Sequence, residues 1–223
     1  MKIIGHIQTD FPTKFGIPRQ SGLVQELKGI ITFEPEYRNP EAFRGLEEFS
    51  HIWLLWKFSK SEKAHWSATV KPPRLGGKKR MGVFATRSPY RPNDIGLSSV
   101  KLEKIVYDEK SGPMLYVAGV DLMDGTPIYD IKPYVTYADS HPEATEGFAA
   151  AVKEKKLQVN FPEELLKRYP AEKQSAILEV LKQDPRPAYD TDETRVYGVE
   201  FAGFDVRFTV AGERLEVRDV VKL

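Results

Sequence analysis

The sequence lacks cysteine and contains few histidines. Its 223 residues include 4 histidines and no cysteine, so disulfides, Cys-ligated zinc, iron–sulfur clusters and a thiol nucleophile are excluded. The histidines stand at positions 6, 51, 65 and 141 and show no His-x-x-x-His spacing, which a helical metal site would need. We therefore expect no metal.

Long apolar runs and targeting segments are also missing. The longest apolar run, Ile52 to Trp56, has five residues, whereas a membrane-spanning helix needs about 20. The first residues, Met1 to His6, offer neither an apolar signal core nor a small-residue cleavage site. We expect a cytoplasmic protein with no membrane partner.

Three common enzyme signatures are absent as well. The segment Gly76-Gly77-Lys78-Lys79 does not fit the phosphate-binding loop Gly-x-x-x-x-Gly-Lys-Ser/Thr. No Gly-x-Gly-x-x-Gly follows a strand-like run, and no Gly-x-Ser-x-Gly occurs. These absences disfavour nucleotide triphosphatases, dinucleotide-binding enzymes and α/β-hydrolases.

The charges nearly balance, but they are distributed unevenly. The chain has 33 Lys+Arg and 32 Asp+Glu, yet Lys71 to Arg91 contains seven basic residues and no acid. The later segment Ile105 to Ala150 contains eight acids and two bases. A basic segment without acids favours a polyanionic partner, and RNA phosphate is the natural one to propose.

Short strand-like runs dominate the first two thirds of the chain. Many short strands without regular helical crossovers favour a barrel or sandwich over a doubly wound sheet. One helix is predicted between Asn39 and Phe49, with Asn39 as N-cap and Pro40 in the first turn. The unbroken run Ile52 to Trp56 predicts a strand covered on both faces. The strand-like runs are Met1 to Ile7, Leu27 to Phe33, His51 to Phe58, Met81 to Thr86, Leu97 to Tyr107, Met114 to Leu122 and Ile128 to Lys132.

The pattern changes between Ser140 and Ala150, where small and acidic residues follow the last strand-like run. We place the domain boundary here, with a β-rich domain at 1–147 and a small α+β domain at 148–223. In the second domain, Pro162 to Tyr169 and Ala171 to Lys182 predict helices. The segment Val196 to Val221 predicts strands around the Ala-Gly pairs at 202–203 and 211–212.

Two loops of the basic segment, Lys71 to Arg80 and Thr86 to Leu97, combine cations with proline and glycine. Proline fixes φ and glycine permits close backbone approach, so each loop can hold Arg side chains at low entropic cost for a carboxylate or phosphate. The alternative is a pair of rigid, exposed turns whose charges only keep the protein soluble. On the first interpretation, the substrate or RNA contacts are Arg74, Lys78, Lys79, Arg80, Arg91 and Asn93.

Other segments offer weaker signals. Phe15 to Gln20 repeats the Gly, Pro, Arg chemistry, and Asp121 to Pro127 ends a strand-like run with an Asp-Gly pair that is first of all a hairpin turn. Carboxylates at a strand end can also accept hydrogen bonds from a ribose or an amino group. Among the tryptophans, Trp66 is the candidate for stacking on a base, because Trp53 and Trp56 are expected in the core.

Several motifs together resemble the TsaA-like (YaeB) family. They are Phe15-Gly-Ile-Pro-Arg-Gln20, Leu46-Glu-Glu-Phe-Ser-His-Ile-Trp-Leu-Leu55, Lys71-Pro-Pro-Arg-Leu-Gly-Gly77, Gly82-Val-Phe-Ala-Thr-Arg-Ser88, Arg91-Pro-Asn93 with Ile95-Gly-Leu97, and Asp121-Leu-Met-Asp-Gly-Thr-Pro127 with Asp130-Ile-Lys-Pro-Tyr134. In addition, Gln183-Asp-Pro-Arg-Pro-Ala-Tyr189 resembles the C-terminal domain of the longer bacterial members.

The resemblance implies a small β-barrel that forms a homodimer and holds S-adenosylmethionine near the subunit boundary. Bacterial members methylate the exocyclic amine of threonylcarbamoyl-adenosine just 3′ of the anticodon, so the implied partner is a tRNA anticodon stem-loop. Two positions depart from the family pattern: Ser59 stands where members commonly carry His, and Asp94 replaces a common Pro. The cofactor site of the family maps to Pro18, Arg19, Gln20, Phe58, Ser59, Arg87, Leu97, Asp121, Leu122, Met123, Asp124, Gly125 and Thr126.

This chemistry would need a base and an anion-binding group. The acceptor nitrogen belongs to a urea-like group and is a poor nucleophile, so a general base should help; Asp121, Asp124 and Asp130 are the candidates. The threonyl carboxylate would offer a bidentate target to one of the arginines at 87, 91 or 74. Two alternatives remain open, a non-catalytic RNA-binding β-barrel and a methyltransferase that acts on a small metabolite.

Overall fold

The computed structural model describes residues 1–60, 66–72, 75, 79–152, 156–186 and 192–223. The predicted substrate contacts Arg74 and Lys78 lie outside the described residues. Among the described residues, no helix is long and apolar enough to cross a membrane.

The chain begins with a mainly β unit, as the sequence predicts, and ends with a mixed α and β part. The helices are α1 (Thr136–Asp139), α2 (Glu163–Leu166) and α3 (Ala171–Lys182). In chain order the strands are β1 (Gly5–Thr9), β2 (Lys28–Phe33), β3 (His51–Lys57), β4 (Thr69–Val70), β5 (Met81–Gly82), β6 (Ile95–Asp108), β7 (Gly112–Ala118), β8 (Thr126–Pro133), β9 (Gln158–Asn160), β10 (Tyr197–Phe201), β11 (Phe204–Ala211) and β12 (Arg214–Lys222).

Six strands close into a barrel in the order β1-β2-β7-β6-β3-β8. Each neighbouring pair is antiparallel, including the closing pair β1 and β8. Alternate residues of each strand face inward. The strand-like runs left a barrel and a sandwich open, and the β-barrel that the family resemblance implies is confirmed.

Strand β3 shows how this alternation builds the core. Ile52, Leu54 and Trp56 face inward and are buried, while the residues between them are half-buried. On the outer face, the Trp53 ring lies 5.5 Å from the ring of Tyr134. The outer face of β3 is thus less enclosed than its unbroken apolar run predicts.

The predicted helix between Asn39 and Phe49 is wrong in type and extent. The segment forms two 3₁₀ turns, Pro40–Phe43 and Leu46–Glu48, separated by Gly45 with φ of 84°. The predicted cap is real, since the Asn39 side chain accepts a hydrogen bond from the Glu41 N–H at 3.0 Å. A left-handed glycine ends the helical path after one turn.

Two further elements are shorter than predicted. The run Met81 to Thr86 forms only the two-residue strand β5, which pairs with β4, and then turns into the 3₁₀ segment Val83–Ala85. The run Pro162 to Tyr169 forms only the single turn α2. In both places the chain turns earlier than the apolar pattern indicates.

The C-terminal elements form a four-stranded sheet in the order β10-β11-β12-β9, with β9 parallel to β12. Helix α3 has the predicted bounds and buries Ala176, Ile177, Val180 and Leu181. Strands β10 to β12 turn at the Ala-Gly pairs identified in the sequence. Strand β9, with three residues, was too short to be recognised by alternation.

This sheet packs against the barrel through the segment that follows β1. The rings of Phe11 and Phe201 lie 5.1 Å apart, and both side chains are buried. Beside them, Lys173 of α3 forms an ion pair with Asp10, and the Asp10 carbonyl accepts a hydrogen bond from the Ala202 N–H at 2.9 Å. These contacts fix the segment after β1 against the C-terminal elements before it enters the loop that carries Pro18, Arg19 and Gln20.

Candidate active site

Four loop segments meet at one end of the barrel and enclose a cavity of about 450 Å³, called here the barrel cavity. The segments lie at 14–20, 56–60, 86–97 and 121–126, and they come from distant parts of the sequence. The predicted site residues that line the barrel cavity are Pro18, Arg19, Gln20, Phe58, Ser59, Arg87, Arg91, Leu97, Asp121, Leu122, Met123 and Thr126.

Asp121 is the half-buried acid of this cavity. Its Oδ1 accepts a hydrogen bond from the Ser98 hydroxyl at 2.6 Å, and Ser98 Oγ in turn lies 2.9 Å from Trp56 Nε1. Burial raises the pKa of Asp121 to about 6, and the Ser98 hydrogen bond and the charge of Arg87 oppose this rise. A carboxylate that titrates near neutral pH is suited to accept and release a proton.

The apolar wall of the cavity depends on a close contact between β3 and β6. Gly96 is paired with Trp56, and a Cβ atom at Gly96 would lie 2.2 Å from the indole ring. Only glycine therefore lets the Trp56 indole lie against β6. The ring of Phe58 follows at 4.3 Å from the Trp56 ring, and Leu97, with 54% of its surface exposed, completes this wall at the cavity mouth.

The arginines of the loop that follows β5 have different surroundings. Arg87 donates a hydrogen bond to Gln20 Oε1, so two of the predicted segments meet at this pair. Arg91 Nη1 donates to the carbonyl oxygens of Thr86 at 2.6 Å and Val83 at 3.1 Å. The guanidinium of Arg91 therefore braces its own loop.

Two of the three candidate acids lie away from the barrel cavity. Asp124 Oδ1 accepts a hydrogen bond from the Thr9 N–H at 3.0 Å, and the adjacent Gly125 has φ of 72°, as a tight turn requires. Asp130 pairs with Lys132 at 3.0 Å on strand β8. Neither acid lines the cavity, nor does Gly125. Asp124 and Gly125 instead shape the turn that carries Asp121 to Met123.

A second depression, called here the basic groove, adjoins the barrel cavity and has a volume of about 1430 Å³. The two share Arg19, Gln20, Thr86 and Arg87 in their walls. Of the predicted substrate contacts, Arg80 lines the basic groove, where its Nε donates to Thr69 Oγ1 at 2.7 Å. The predicted contacts Lys79 and Asn93 are exposed and line neither depression.

Sequence reasoning missed several residues of the site. Ser98 belongs to none of the quoted motifs, and its contact with Asp121 joins residues that are 23 positions apart in the sequence. Trp56 was expected only in the core, although it also lines the cavity. Gly96 lies inside one of the quoted motifs, directly before the strand-like run that begins at Leu97, and this motif was the available signal.

The fold is a closed β-barrel with a cavity at its mouth, a common location for ligand sites. The model of the tRNA-methyltransferase O N-terminal domain matches residues 6–140, and that of the TrmO C-terminal domain matches residues 154–223. The chain belongs to this family.

Relatives and a solved structure agree with this assignment. The tRNA (adenine(37)-N6)-methyltransferase of Escherichia coli K12 is 44% identical over 96% of this chain and 94% of its own length. A putative S-adenosylmethionine-dependent methyltransferase of Pseudomonas aeruginosa is 40% identical over 92% and 90%. The crystal structure of TrmO from P. aeruginosa superposes with a TM-score of 0.79 at 35% identity, covering 99% of this chain and 95% of that one.

Proposed function

We propose that this protein is an S-adenosylmethionine-dependent tRNA methyltransferase that methylates the exocyclic amine of adenosine 37, carried as threonylcarbamoyl-adenosine. The names of its relatives support the reaction and the cofactor. The observation that carries the proposal for this chain is Asp121, a half-buried acid that lines the cavity at the mouth of the barrel.

The barrel cavity fits the proposed cofactor in size and chemistry. Its volume of about 450 Å³ lies in the range of sites for drug-sized ligands. The rings of Trp56 and Phe58 suit a sulfonium cation, and Leu97 and Leu122 suit an adenine ring. Arg19, which also lines the cavity, suits the carboxylate of the cofactor. When bound, S-adenosylmethionine would supply the activated methyl group.

The residues of the cavity have two tasks in this reaction. They hold donor and acceptor in line and exclude water, which lowers the barrier without covalent catalysis. As the bond between the acceptor nitrogen and the methyl carbon forms and the sulfur–methyl bond breaks, the nitrogen loses a proton. We assign Asp121 as the base that receives this proton, and Ser98 as the residue that orients its carboxylate.

The proposed acceptor base carries a negative charge, so its binding requires a cation beside the cavity. A threonyl carboxylate would form paired hydrogen bonds with a guanidinium. We assign this contact to Arg87, because it borders both the barrel cavity and the basic groove. Arg91 is less suited, since its Nη1 is held by two carbonyl oxygens.

Three further features belong to the proposal. The tRNA anticodon stem-loop is the substrate element, and the cytoplasm, where tRNA is found, is the compartment. The family resemblance supports a homodimer with the cofactor near the subunit boundary; sedimentation should then give about twice the chain mass of 25.4 kDa. The barrel elements end at Pro133 and the second sheet begins at Gln158, which supports domains at 1–147 and 148–223.

Substitution of the three acids tests the assigned base. Asp121→Asn should lower turnover at saturating cofactor by about 10²- to 10⁴-fold, the usual contribution of a general base. Asp124→Asn and Asp130→Asn are matched controls and should retain turnover within a few-fold, because neither carboxylate faces the cavity. If all three variants were equally active, the assignment of Asp121 as the general base would be refuted.

Two binding measurements test the class of protein. Calorimetry with S-adenosylmethionine should give a saturable heat, which a purely RNA-binding barrel would not give. The affinity for tRNA should fall steeply as salt rises, because several phosphate contacts release counterions. A salt-independent interaction would favour a small-metabolite substrate.

A comparison of modified and unmodified tRNA tests the acceptor. Only tRNA that carries the threonylcarbamoyl group should be methylated efficiently, since the site would otherwise leave Arg87 without its anionic partner. Mass spectrometry of the anticodon-loop nucleosides gives the readout. Equal methylation of unmodified tRNA would contradict the assigned acceptor.

A further inference from the structure

Two large aromatic rings lie side by side on the surface near the basic groove. Phe84 exposes 71% of its surface and Trp66 exposes 53%. Their ring centroids are 6.4 Å apart and their planes differ by 23°, so the rings are close to parallel. We call Phe84 and Trp66 the aromatic platform. Flat aromatic faces left open to water are suited to stacking on a flat ligand.

Hydrogen bonds hold the segment that carries Phe84 in place. Phe84 lies in the 3₁₀ turn Val83–Ala85, whose first residue is buried and donates its N–H to the Ala68 carbonyl at 2.9 Å. The guanidinium of Arg91, fixed by two carbonyl oxygens, lies 5.5 Å from the centroid of the Phe84 ring. A surface that is ordered before binding loses little conformational entropy when a ligand arrives.

The surroundings of the platform are cationic. Phe84 itself lines the basic groove together with Lys71 and Arg80. Glu146 is the only acid among the described residues that line this groove. Aromatic faces beside a row of cations are the features that bind single-stranded nucleic acid, since the rings stack on bases and the cations neutralise phosphates.

The proposed reaction creates a need for such a surface. Asp121 lies in the barrel cavity, so an adenosine of the anticodon loop must leave its stack before its amine can reach this carboxylate. The bases on either side then lose a stacking partner. The basic groove is continuous with the barrel cavity through Arg19, Thr86 and Arg87, so a nucleotide beside the target adenosine would lie close to Phe84.

We propose that Phe84 and Trp66 form a stacking platform for an unpaired base of the anticodon loop that neighbours the methylated adenosine, with the adjoining phosphates along Lys71 and Arg80. This inference rests on the proposed function. A second copy of this chain is the less suited occupant, because two identical cationic grooves repel each other, whereas RNA carries the opposite charge.

Binding of a labelled anticodon stem-loop oligonucleotide to the full-length protein tests the platform. Phe84→Ala and Trp66→Ala should each weaken binding by roughly 5- to 150-fold, the range found for loss of a stacked base. Phe84→Trp should retain most of the affinity. Tyr137→Ala is the matched control, because Tyr137 is 94% exposed and lines neither depression; it should bind as the unchanged protein does.

Two additional readouts separate stacking from other effects. The affinity for S-adenosylmethionine, measured by calorimetry, should be the same in Phe84→Ala and the unchanged protein, because Phe84 does not line the barrel cavity. Sedimentation should show no change of mass. A variant that loses RNA binding only because it no longer dimerises would overturn the proposal and assign the rings to a subunit interface.

Failure of this inference differs from failure of the proposed function. If the unchanged protein methylates its tRNA but Phe84→Ala and Trp66→Ala bind the stem-loop as tightly as Tyr137→Ala, the platform is refuted and the enzyme assignment stands. If the unchanged protein neither binds the stem-loop nor methylates tRNA, both are refuted.

Discussion

Asp121 combines burial with an ionisable group, and this combination costs stability. Burial disfavours the charged form, and for that reason the pKa rises to about 6 from an ordinary value of 3.8. The native state then binds the Asp121 proton more tightly than the unfolded state does. The stabilisation from this group is complete below pH 3.8 and is lost as the pH rises through 6.

The variant Asp121→Asn should therefore gain stability relative to the unchanged protein as the pH rises. The amide cannot ionise but can still accept the Ser98 hydrogen bond. Between about pH 4 and about pH 7.5, the difference in free energy of unfolding should shift in favour of the variant by about 2 kcal/mol. Urea unfolding of both proteins at the two pH values measures this shift. If the difference in free energy of unfolding between them were the same at both pH values, Asp121 would not be buried as a carboxylate. Functional residues often reduce stability, so a variant that gains stability and loses turnover would support a functional role for Asp121.

Ser98 should set the acidic limb of the pH–rate profile. Trp56 Nε1 can only donate, so Ser98 Oγ accepts this hydrogen bond and directs its own proton to Asp121. In Ser98→Ala the carboxylate loses this donor, its pKa rises further, and the acidic limb of turnover should move up by about one pH unit. Ser99→Ala is the matched control. An unchanged limb in Ser98→Ala would show that the hydroxyl does not act on the base.

At the scale of elements, the contact between β3 and β6 connects barrel packing to the site. Trp56 serves both, because one face of its indole lies against Gly96 and its N–H reaches Ser98. Any atom added at Gly96 must displace the ring and with it the hydrogen bonds that lead to Asp121. Glycine is required at position 96 because the Trp56 side chain lies too close to the backbone there for a Cβ atom.

Gly96→Ala should destabilise the barrel by about 1–3 kcal/mol, the usual cost of overpacking, and should weaken cofactor binding as well. The added Cβ would lie 2.2 Å from the Trp56 ring. Gly82→Ala is the control, since a Cβ there meets nothing within 4 Å and its φ is −57°; thermal unfolding should leave it close to the unchanged protein. Equal stability of the two variants would mean that the Trp56 ring can move away at little cost.

At the scale of the whole molecule, the barrel and the C-terminal sheet share an apolar contact. Phe11 and Phe201 are buried against each other, and Val199 lies where a Cβ on Gly16 would be, with Val199 Cγ1 at 2.7 Å. The loop from Phe11 to Gln20 continues from this contact into the barrel cavity. The C-terminal sheet therefore fixes the start of a loop that lines the site.

Because this contact is apolar and buried, the chain should unfold in one cooperative transition. In a double-mutant cycle, Phe11→Leu and Phe201→Leu should show a coupling of about 1 kcal/mol, as aromatic pairs do. Calorimetric unfolding of the four proteins measures both properties. Two separate transitions in the unchanged protein, or additive effects of the two changes, would show that the sheet and the barrel are energetically independent.

The sequence by itself determined the local elements of this protein. Short strand-like runs predicted the barrel strands, and the predictions of helix α3 and of the Ala-Gly turns between β10 and β12 were correct, because these signals depend on neighbouring residues. The helix after Asn39 failed because an apolar stripe does not reveal that Gly45 adopts a positive φ. Most of the residues that the family resemblance assigns to the cofactor line the barrel cavity.

Only the tertiary structure decided among the residues of the site. The acids at 121, 124 and 130 are equivalent in sequence, and barrel closure buries the first beside Ser98 while it directs the second to the Thr9 N–H and leaves the third beside Lys132. In the same way it distinguishes Arg87, which contacts Gln20 and borders both depressions, from Arg91, whose Nη1 is held by two carbonyl oxygens of its own loop. The physical reason is that burial and hydrogen-bond partners come from strands that are distant in sequence, and no local pattern contains that information.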